Sequence, residues 1–261
     1  MPSWLWPADR RAAIILMRDV FADLVLGGSC VGCERPGRPL CRGCASGLPA
    51  AAHPAWPSPT PAGLVVPWSA AAYEGVVRSM VVAHKEHRIL ALRRPLARLL
   101  ATGVAAVATR GVPVILVPVP SRPGSARARG HDPTGALTGE AARLLRRQGY
   151  DARRARLLVS RGAVADQAGL DATARAVNLA GSMFCPTDRL RRIAGRPAHV
   201  VVCDDVLTTG ATAREAQRAL ETVGLHVAGI ATAAATRRRS PPLSAGRECW
   251  GPPLSSGLDT K

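Results

Sequence analysis

The chain has 261 residues, enough for one α/β domain together with a small additional module. Hydrophobic residues make up 47% of it and aromatic residues 3%, which excludes a chain without a folded core and predicts one packed mainly from Val, Leu, Ala and Ile. The formal net charge of +17 comes almost entirely from arginine and favours polyanionic partners, either phosphorylated metabolites or nucleic acid; a solvated surface with GC-biased codons is the alternative.

The first predicted element is an amphipathic helix within residues 12–26. Its apolar side chains recur at helical spacing, at Ile14, Met17, Phe21, Leu24 and Val25. Arg18, Asp19 and Asp23 interrupt the stretch, so it fits neither a bilayer-spanning helix nor the core of a signal peptide. We therefore expect a helix packed on the body of the protein, no membrane insertion, and a cytoplasmic location in which the cysteines stay reduced.

Two CxxC pairs follow the helix, and seven residues separate them: Cys30, Cys33, Cys41 and Cys44. Two such pairs can place four thiolates around one Zn²⁺, and their short separation suits a small loop module without a core of its own. A redox CxxC would be single and would begin a helix after a strand. Disulfides are the other alternative and fit the cytosol poorly. The pattern predicts a structural zinc site within an N-terminal module, residues 1–60, that ends in a Pro/Ala linker from Pro49 to Pro61.

Residues 61–235 alternate short apolar runs with longer helical patterns. Strands are predicted at Leu64–Trp68, Val114–Val119, His199–Cys203 and Val227–Ala233. Helices are predicted at Glu74–Ala83, Arg93–Thr109, Thr134–Arg147 and Ala211–Thr222. Such alternation predicts an α/β domain with a parallel sheet covered by helices. The last residues, 236–261, are rich in Arg and Pro without periodicity, which predicts a disordered tail.

The most informative stretch is the apolar run that ends in Asp204 and Asp205 and the loop after it. Open α/β sheets place ligands where their strands end. The loop consists of Val206, Leu207, Thr208, Thr209, Gly210, Ala211 and Thr212. It supplies hydroxyl groups, a glycine that permits close approach, and a helix start that favours an anion. Paired carboxylates would repel a bare phosphate, so they suit ribose hydroxyls or a shared Mg²⁺. The alternative is that the acids end a strand and Thr212 caps the helix.

This stretch resembles the phosphoribosyl pyrophosphate (PRPP) signature of type I phosphoribosyltransferases, in which an apolar strand, two acids and a Thr/Gly loop follow one another. The resemblance implies that Asp204 and Asp205 are catalytic residues at the ribose 2- and 3-hydroxyls. It also implies that Val206 to Thr212 hold the 5-phosphate. The run Val117-Pro118-Val119-Pro120-Ser121 is similar to the pyrophosphate loop of the same fold. Pro120 and Ser121 are thereby implied at the pyrophosphate, with Mg²⁺ bound together with PRPP.

Further pieces narrow the resemblance to the ComF (ComFC) family of competence-associated proteins. They are Arg129-Gly130-His131-Asp132, Gln167, and Arg175 with Asn178, in this order before the Asp-Asp strand. His131-Asp132 departs from the aromatic-Asn form of the family. Members carry a four-cysteine cluster in front of a type I phosphoribosyltransferase fold, and the resemblance covers about residues 25–235.

Three more expectations come with this resemblance. Arg129 is implied in phosphate binding. Lys85 matches a lysine common after the first helix of the family and is implied near phosphate, although a surface lysine would look the same. Ser160–Leu170 resembles the loop that closes over PRPP, and an ordinary surface loop is the alternative.

The last feature is a basic band, residues 110–161, in which eleven arginines and three acids give a net charge of +8. Pyrophosphate needs two or three of these arginines, so the others indicate either a nucleic-acid surface or codon bias.

The resemblance to the ComF family implies a protein that binds PRPP or ribose 5-phosphate and takes part in DNA uptake during natural transformation. Its role there would be that of a binding module for single-stranded DNA and competence-machinery proteins. An active phosphoribosyltransferase that displaces pyrophosphate from PRPP with an unknown acceptor is the alternative.

Overall fold

The computed structural model describes residues 28–121, 132–161, 181–191, 193 and 197–236. Several predicted features lie outside these residues: the helix in 12–26, Arg129, Gln167, Arg175, Asn178, most of the segment 160–170, and the tail from residue 237. None of the helices in the described ranges combines the length and the apolarity needed to cross a bilayer.

The strands of the described chain form one six-stranded sheet and one small hairpin-like pair. They are β1 His53–Pro54, β2 Pro67–Ala72, β3 Val114–Pro118, β4 Ala152–Arg154, β5 Val159–Ser160, β6 Met183–Phe184, β7 His199–Leu207 and β8 Val227–Ala235. The sheet has the order β1-β2-β8-β7-β3-β4. β1 pairs antiparallel with β2, and the remaining neighbours in this sheet pair in parallel. β5 and β6 form a separate antiparallel pair.

Helices cover both faces of the sheet. They are α1 Arg42–Ser46, α2 Gly75–Lys85, α3 Arg93–Val107, α4 Pro133–Arg147, α5 Thr187–Leu190 and α6 Ala211–Glu221, with a 3₁₀ turn at Leu90–Leu92. In α3 the buried side chains Leu96, Leu100 and Val104 recur every four residues, so they form one apolar stripe against the sheet. In α6 the buried stripe is Ala213, Ala216 and Leu220, and the positive φ of Gly224 follows the helix end.

The core therefore has two layers, one on each face of the sheet. In β7, Val201 and Cys203 pack with the layer that contains α2, α3 and α4, whereas Val200 and Val202 pack with the layer that contains α6. Successive strand side chains point to opposite faces, so a continuous apolar run requires cover on both. The prediction of a mixed α/β protein with a largely parallel sheet is confirmed, and the phosphoribosyltransferase fold stays a prediction.

The predicted strand ends differ from those observed. β7 continues four residues beyond the predicted end at Cys203, because Val206 and Leu207 still pair with Ala234 and Ala235 of β8. The strand predicted from Leu64 begins at Pro67, and Leu64 packs into the core layer of α6. Strands β1, β4, β5 and β6 have three residues or fewer, too short to show a period in the sequence.

Candidate functional site

The two acids lie within the last part of β7, between β8 and β3. Asp205 is buried and Asp204 is half-buried. The Asp205 N–H donates a hydrogen bond of 2.8 Å to Asp204 Oδ1, and the Val206 N–H donates one of 2.9 Å to Asp205 Oδ1. These bonds orient both carboxylates at the carboxyl edge of a parallel sheet, which is where ligands bind to open α/β folds.

Lys85, the last residue of α2, faces this pair. Its Nζ lies 2.8 Å from Asp205 Oδ2. Burial raises the pKa of Asp204 well above its ordinary value, the Asp205 carboxylate raises it further, and Lys85 opposes both effects. The site therefore presents carboxyl oxygens beside one ammonium group. Carboxyl oxygens suit hydroxyl donors or Mg²⁺ rather than a bare anion.

The loop after β7 enters α6 through Gly210. The φ of Gly210 is +75°, a conformation that favours glycine, and a Cβ atom there would lie 2.9 Å from Pro57 Cγ. Since Gly210 offers no side chain to cap the helix, the first-turn N–H groups of α6 are directed at the loop. The Ala211 N–H lies 3.5 Å from Thr209 Oγ1. Thr208 is exposed, and Thr209 and Thr212 are half-buried, so their hydroxyl groups remain accessible to a ligand.

The segment predicted to be a linker lies against this loop. Pro57, Pro61 and Leu64 surround the Cα of Gly210, so that each would contact a Cβ atom placed there, at 2.9, 3.4 and 3.3 Å. The Thr236 hydroxyl also contacts the loop and lies 3.4 Å from the carbonyl oxygens of both Leu207 and Thr208. Residues close to both ends of the α/β domain therefore contact this loop.

Two side chains of α6 hold the covering segment in place. Arg214 Nε donates to the carbonyl oxygen of Ala62 at 2.9 Å. Gln217 accepts from the Val65 N–H at 3.1 Å and donates to the Gly63 carbonyl oxygen at 2.9 Å. Sequence analysis missed Arg214, Gln217, Pro57 and Thr236, because no local pattern marks a side chain whose partner is far away in sequence.

The predicted pyrophosphate loop begins at the same edge of the sheet. Pro118 of β3 pairs with Cys203, and the Val119 N–H donates to the Cys203 carbonyl oxygen at 2.9 Å. Pro120 and Ser121 follow directly and are both half-buried. Because neighbouring strands are about 4.8 Å apart, Pro120 and Ser121 lie in the same neighbourhood as Asp204.

Asp132 begins α4. Its Oδ1 accepts a hydrogen bond of 2.8 Å from the Gly135 N–H, and its Oδ2 lies 3.1 Å from Arg156 Nη2. Asp132 is thus the N-cap of α4, with Pro133 at the first helical position. An Asp-Pro pair at this place is a recognisable sequence signal for a helix start.

The four cysteines form a compact cluster. The Sγ atoms of Cys30, Cys33, Cys41 and Cys44 all lie within 4.8 Å of one another, and no disulfide joins them. Cys33 Sγ and Cys41 Sγ are 3.6 Å apart. Tetrahedral zinc with Zn–S distances of about 2.3 Å places its sulfurs about 3.8 Å apart. The cluster can therefore hold a metal ion, consistent with structural zinc.

Backbone donors support the thiolate form of two of these cysteines. The Cys41 N–H lies 3.3 Å from Cys30 Sγ, and the Cys44 N–H lies 3.4 Å from Cys41 Sγ. Burial acts to raise the pKa of Cys30, but the N–H groups of Cys41, Gly32 and Cys33 outweigh it and lower the pKa to about 6. Thiolates are the form that binds metal.

The cysteine module packs on the helix that carries Lys85. A Cβ atom on Gly32 would lie 2.6 Å from Val76 Cγ2 and 3.0 Å from Cys44 Sγ, so this position of the module has room for glycine alone. Val31, Leu40 and Leu48 pack against the core layer of α2 and α3. Helix α2 thus contacts the cysteine module near its start and Asp205 at its end.

Many arginines of the basic band contact their own surroundings. Arg143 pairs with Glu140 at 2.8 Å, and Arg110 lies 4.8 Å above the Tyr150 ring. Arg146 and Arg154 donate to backbone carbonyl oxygens. A carbonyl partner does not neutralise a guanidinium group, so most of the positive charge remains available to an anion.

No model of a known protein family matches the chain, and a search of curated proteins finds no match either.

Proposed function

We propose that this protein binds a ribose 5-phosphate group, either as ribose 5-phosphate or within PRPP. The observation that carries the proposal is the sequence of groups along one edge of the sheet: Asp204 and Asp205 beside Lys85, then the turn at Gly210 into α6. Carboxylates accept hydrogen bonds from ribose hydroxyls, and loop N–H groups and threonine hydroxyls donate to phosphate. A sugar phosphate needs both kinds of group side by side.

The broader proposal is a ComF-like protein that contributes to DNA uptake in natural transformation by binding single-stranded DNA and competence-machinery proteins. Its support is the order of the pieces along the chain, with a four-cysteine cluster ahead of the α/β domain and the Asp-Asp strand late in it. Asp204 and Asp205 would also hold Mg²⁺ that enters with PRPP, because carboxylate oxygens are ligands that Mg²⁺ prefers.

Calorimetry with three ligands tests the ribose proposal. Ribose 5-phosphate should bind more tightly than 2-deoxyribose 5-phosphate, because the acids lose one hydroxyl donor, and inorganic phosphate should bind most weakly. A loss of about 1.5–3 kcal/mol is expected for each hydrogen bond to a charged carboxylate. Equal affinity for the two sugars would show that the acids do not bind the 2-hydroxyl group of the ribose. If no ligand binds at millimolar concentration, the proposal is wrong.

Thr209→Ala should weaken ribose 5-phosphate binding by about 1–2 kcal/mol, because one hydroxyl–phosphate hydrogen bond is lost. Thr222→Ala is the matched control, since Thr222 is exposed at the opposite end of α6 and its hydroxyl donates to the Arg218 carbonyl oxygen. If both substitutions weaken binding equally, the effect comes from the stability of α6 and not from the phosphate.

Single-stranded DNA should bind with an affinity that falls steeply as salt rises, because each neutralised phosphate releases counterions. For four to six phosphate contacts the log–log slope should be about −3 to −4. Replacing Arg143, Arg146 and Arg147 together with alanine should flatten the slope. Replacing the exposed Arg35, Arg42 and Arg78 with alanine removes the same charge and should leave the slope unchanged. Equal slopes for the two triple variants would show that the basic band is not a DNA-binding surface and that its arginines reflect codon bias.

Catalysis is the second candidate function, favoured by the raised pKa of Asp204 beside the Lys85–Asp205 ion pair. In this reaction an acceptor nucleophile bonds to the ribose C1 atom of PRPP while the C1–O bond breaks and pyrophosphate leaves. The protein can be incubated with PRPP and Mg²⁺, with and without small-molecule acceptors from a cell extract. Release of pyrophosphate only when the acceptors are present would favour an enzyme. Binding of PRPP without any release of pyrophosphate would favour a binding module.

A further inference from the structure

A groove of about 550 Å³ lies between the cysteine module and the amino end of α3. Its apolar lining comes from both sides: Leu40, Ala45 and Leu48 from the module, and Ala91, Leu92 and Pro95 from the 3₁₀ turn and the first turn of α3. Leu90, beside this lining in the chain, is 58% exposed and is one of two large hydrophobic residues in the described ranges that are exposed. An apolar groove with an exposed leucine next to it is typical of a surface that another segment covers.

The described chain begins beside this groove. The Gly37 N–H donates a 2.9 Å hydrogen bond to the Gly28 carbonyl oxygen, and Ser29 forms a β-bridge with Pro36. Gly28 therefore lies next to Gly37, and the residue after Gly37 is Arg38, which lines the groove. Only residue 27 separates the segment 12–26 from Gly28 in the sequence, so a short connection would be enough to bring the segment to the groove. A helix of fifteen residues, the length of 12–26, extends about 22 Å.

The sequence of that segment fits the groove in pattern and charge. The apolar residues of 12–26 recur at helical spacing and require an apolar surface to bury them. Arg18 with Asp19 and Asp23 gives the segment a net charge of −1, in a chain whose net charge is +17. The groove is lined by Arg38, Arg94 and Arg98 as well, so a segment without positive excess is favoured there.

We propose that the apolar face of residues 12–26 occupies the groove of the same chain. Bound there, the segment contacts Leu40 and Leu48 of the module together with Ala91 and Pro95 on the opposite wall, and it holds the cysteine module against the α/β domain. The occupant is the chain's own N-terminal segment, because its attachment point lies at the groove and makes the binding intramolecular, at a high effective concentration.

Hydrogen exchange of the full-length protein tests this proposal. In the unmodified protein the amides of residues 12–26 should exchange slowly. Phe21→Arg on the segment and Ala91→Arg in the groove should each speed that exchange by about 10-fold or more, and the double variant should exchange no faster than either single variant. Ala106→Arg is the control, because Ala106 is exposed near the other end of α3 and does not line the groove. Unchanged exchange in β7 and β8 verifies that the variants fold.

Each other outcome overturns the proposal. Rapid exchange of residues 12–26 in the unmodified protein means that the segment does not dock. Slow exchange that neither arginine substitution changes places it elsewhere on the protein. Protection that increases with protein concentration, together with a dimer in light scattering, assigns the groove to a second copy of the chain.

Discussion

Cys33→Ser should release the bound metal and unfold residues 28–48, while the parallel sheet remains folded. Cys33 is exposed, so the substitution removes a ligand without leaving a cavity in the core. Structural zinc contributes on the order of 10 kcal/mol to the folding of small modules, and this module has few buried side chains to replace that contribution. Elemental analysis should find about one Zn²⁺ per chain in the unmodified protein and little in the variant.

Cys185→Ser is the matched control for the metal prediction. Cys185 is buried and lies outside the cluster, so its substitution should lower the free energy of unfolding by about 1–2 kcal/mol and leave the zinc content unchanged. Hydrogen exchange of residues 28–48 then separates loss of metal from general loss of stability. Protein purified without chelators that contains no zinc, or that contains a disulfide between these cysteines, would contradict the assignment.

Replacing Asp204 and Asp205 together with asparagine should weaken ribose 5-phosphate binding by about 3–6 kcal/mol, since two charge-assisted hydrogen bonds are each worth about 1.5–3 kcal/mol. Asp205→Asn should cost more than Asp204→Asn if Asp205 contacts both a hydroxyl and Mg²⁺. That substitution also removes the carboxylate at 2.8 Å from Lys85 Nζ. Calorimetry with and without Mg²⁺ measures both effects, and the exposed Asp188→Asn should leave the affinity unchanged.

The same double variant separates the two proposed activities. Replacing the acids with neutral side chains should preserve or strengthen binding to single-stranded DNA, because a carboxylate repels phosphates. If the double variant retains its affinity for the sugar phosphate, the two acids stabilise the end of β7 and do not bind the ligand. Parallel loss of both activities would place sugar phosphate and DNA at one site.

The candidate site depends on one helix that connects two regions of the protein. Helix α2 meets the cysteine module at Val76, where Gly32 has no room for a side chain, and it ends at Lys85, which pairs with Asp205. A shift of α2 would therefore move the ammonium group relative to the carboxylates. Helix α2 therefore connects the four-cysteine cluster to the Lys85–Asp205 ion pair.

Some parts of this protein could be predicted from local patterns in its sequence. Apolar runs with helical segments between them predicted the mixed α/β class and four of the helices to within two residues at each end. The spacing of two CxxC pairs predicted that Cys30, Cys33, Cys41 and Cys44 come together, since a short loop brings such pairs within reach of one ion. Asp204, Asp205 and Gly210 were predicted as a group because they lie within seven residues of one another in one strand–loop–helix unit.

Features that depend on a partner far away in sequence could not be predicted from local patterns. β7 extends to Leu207 because its residues pair with β8 as far as Ala235. The sequence of β7 has no periodicity that predicts this length. Lys85 contacts Asp205 because the sheet order places the end of α2 at the carboxyl edge of β7. Pro57 covers Gly210 because Arg214 and Gln217 of α6 hold the intervening segment. Side-chain periodicity indicates which face of a helix or strand is buried. Packing between elements determines which residues of other elements contact that face.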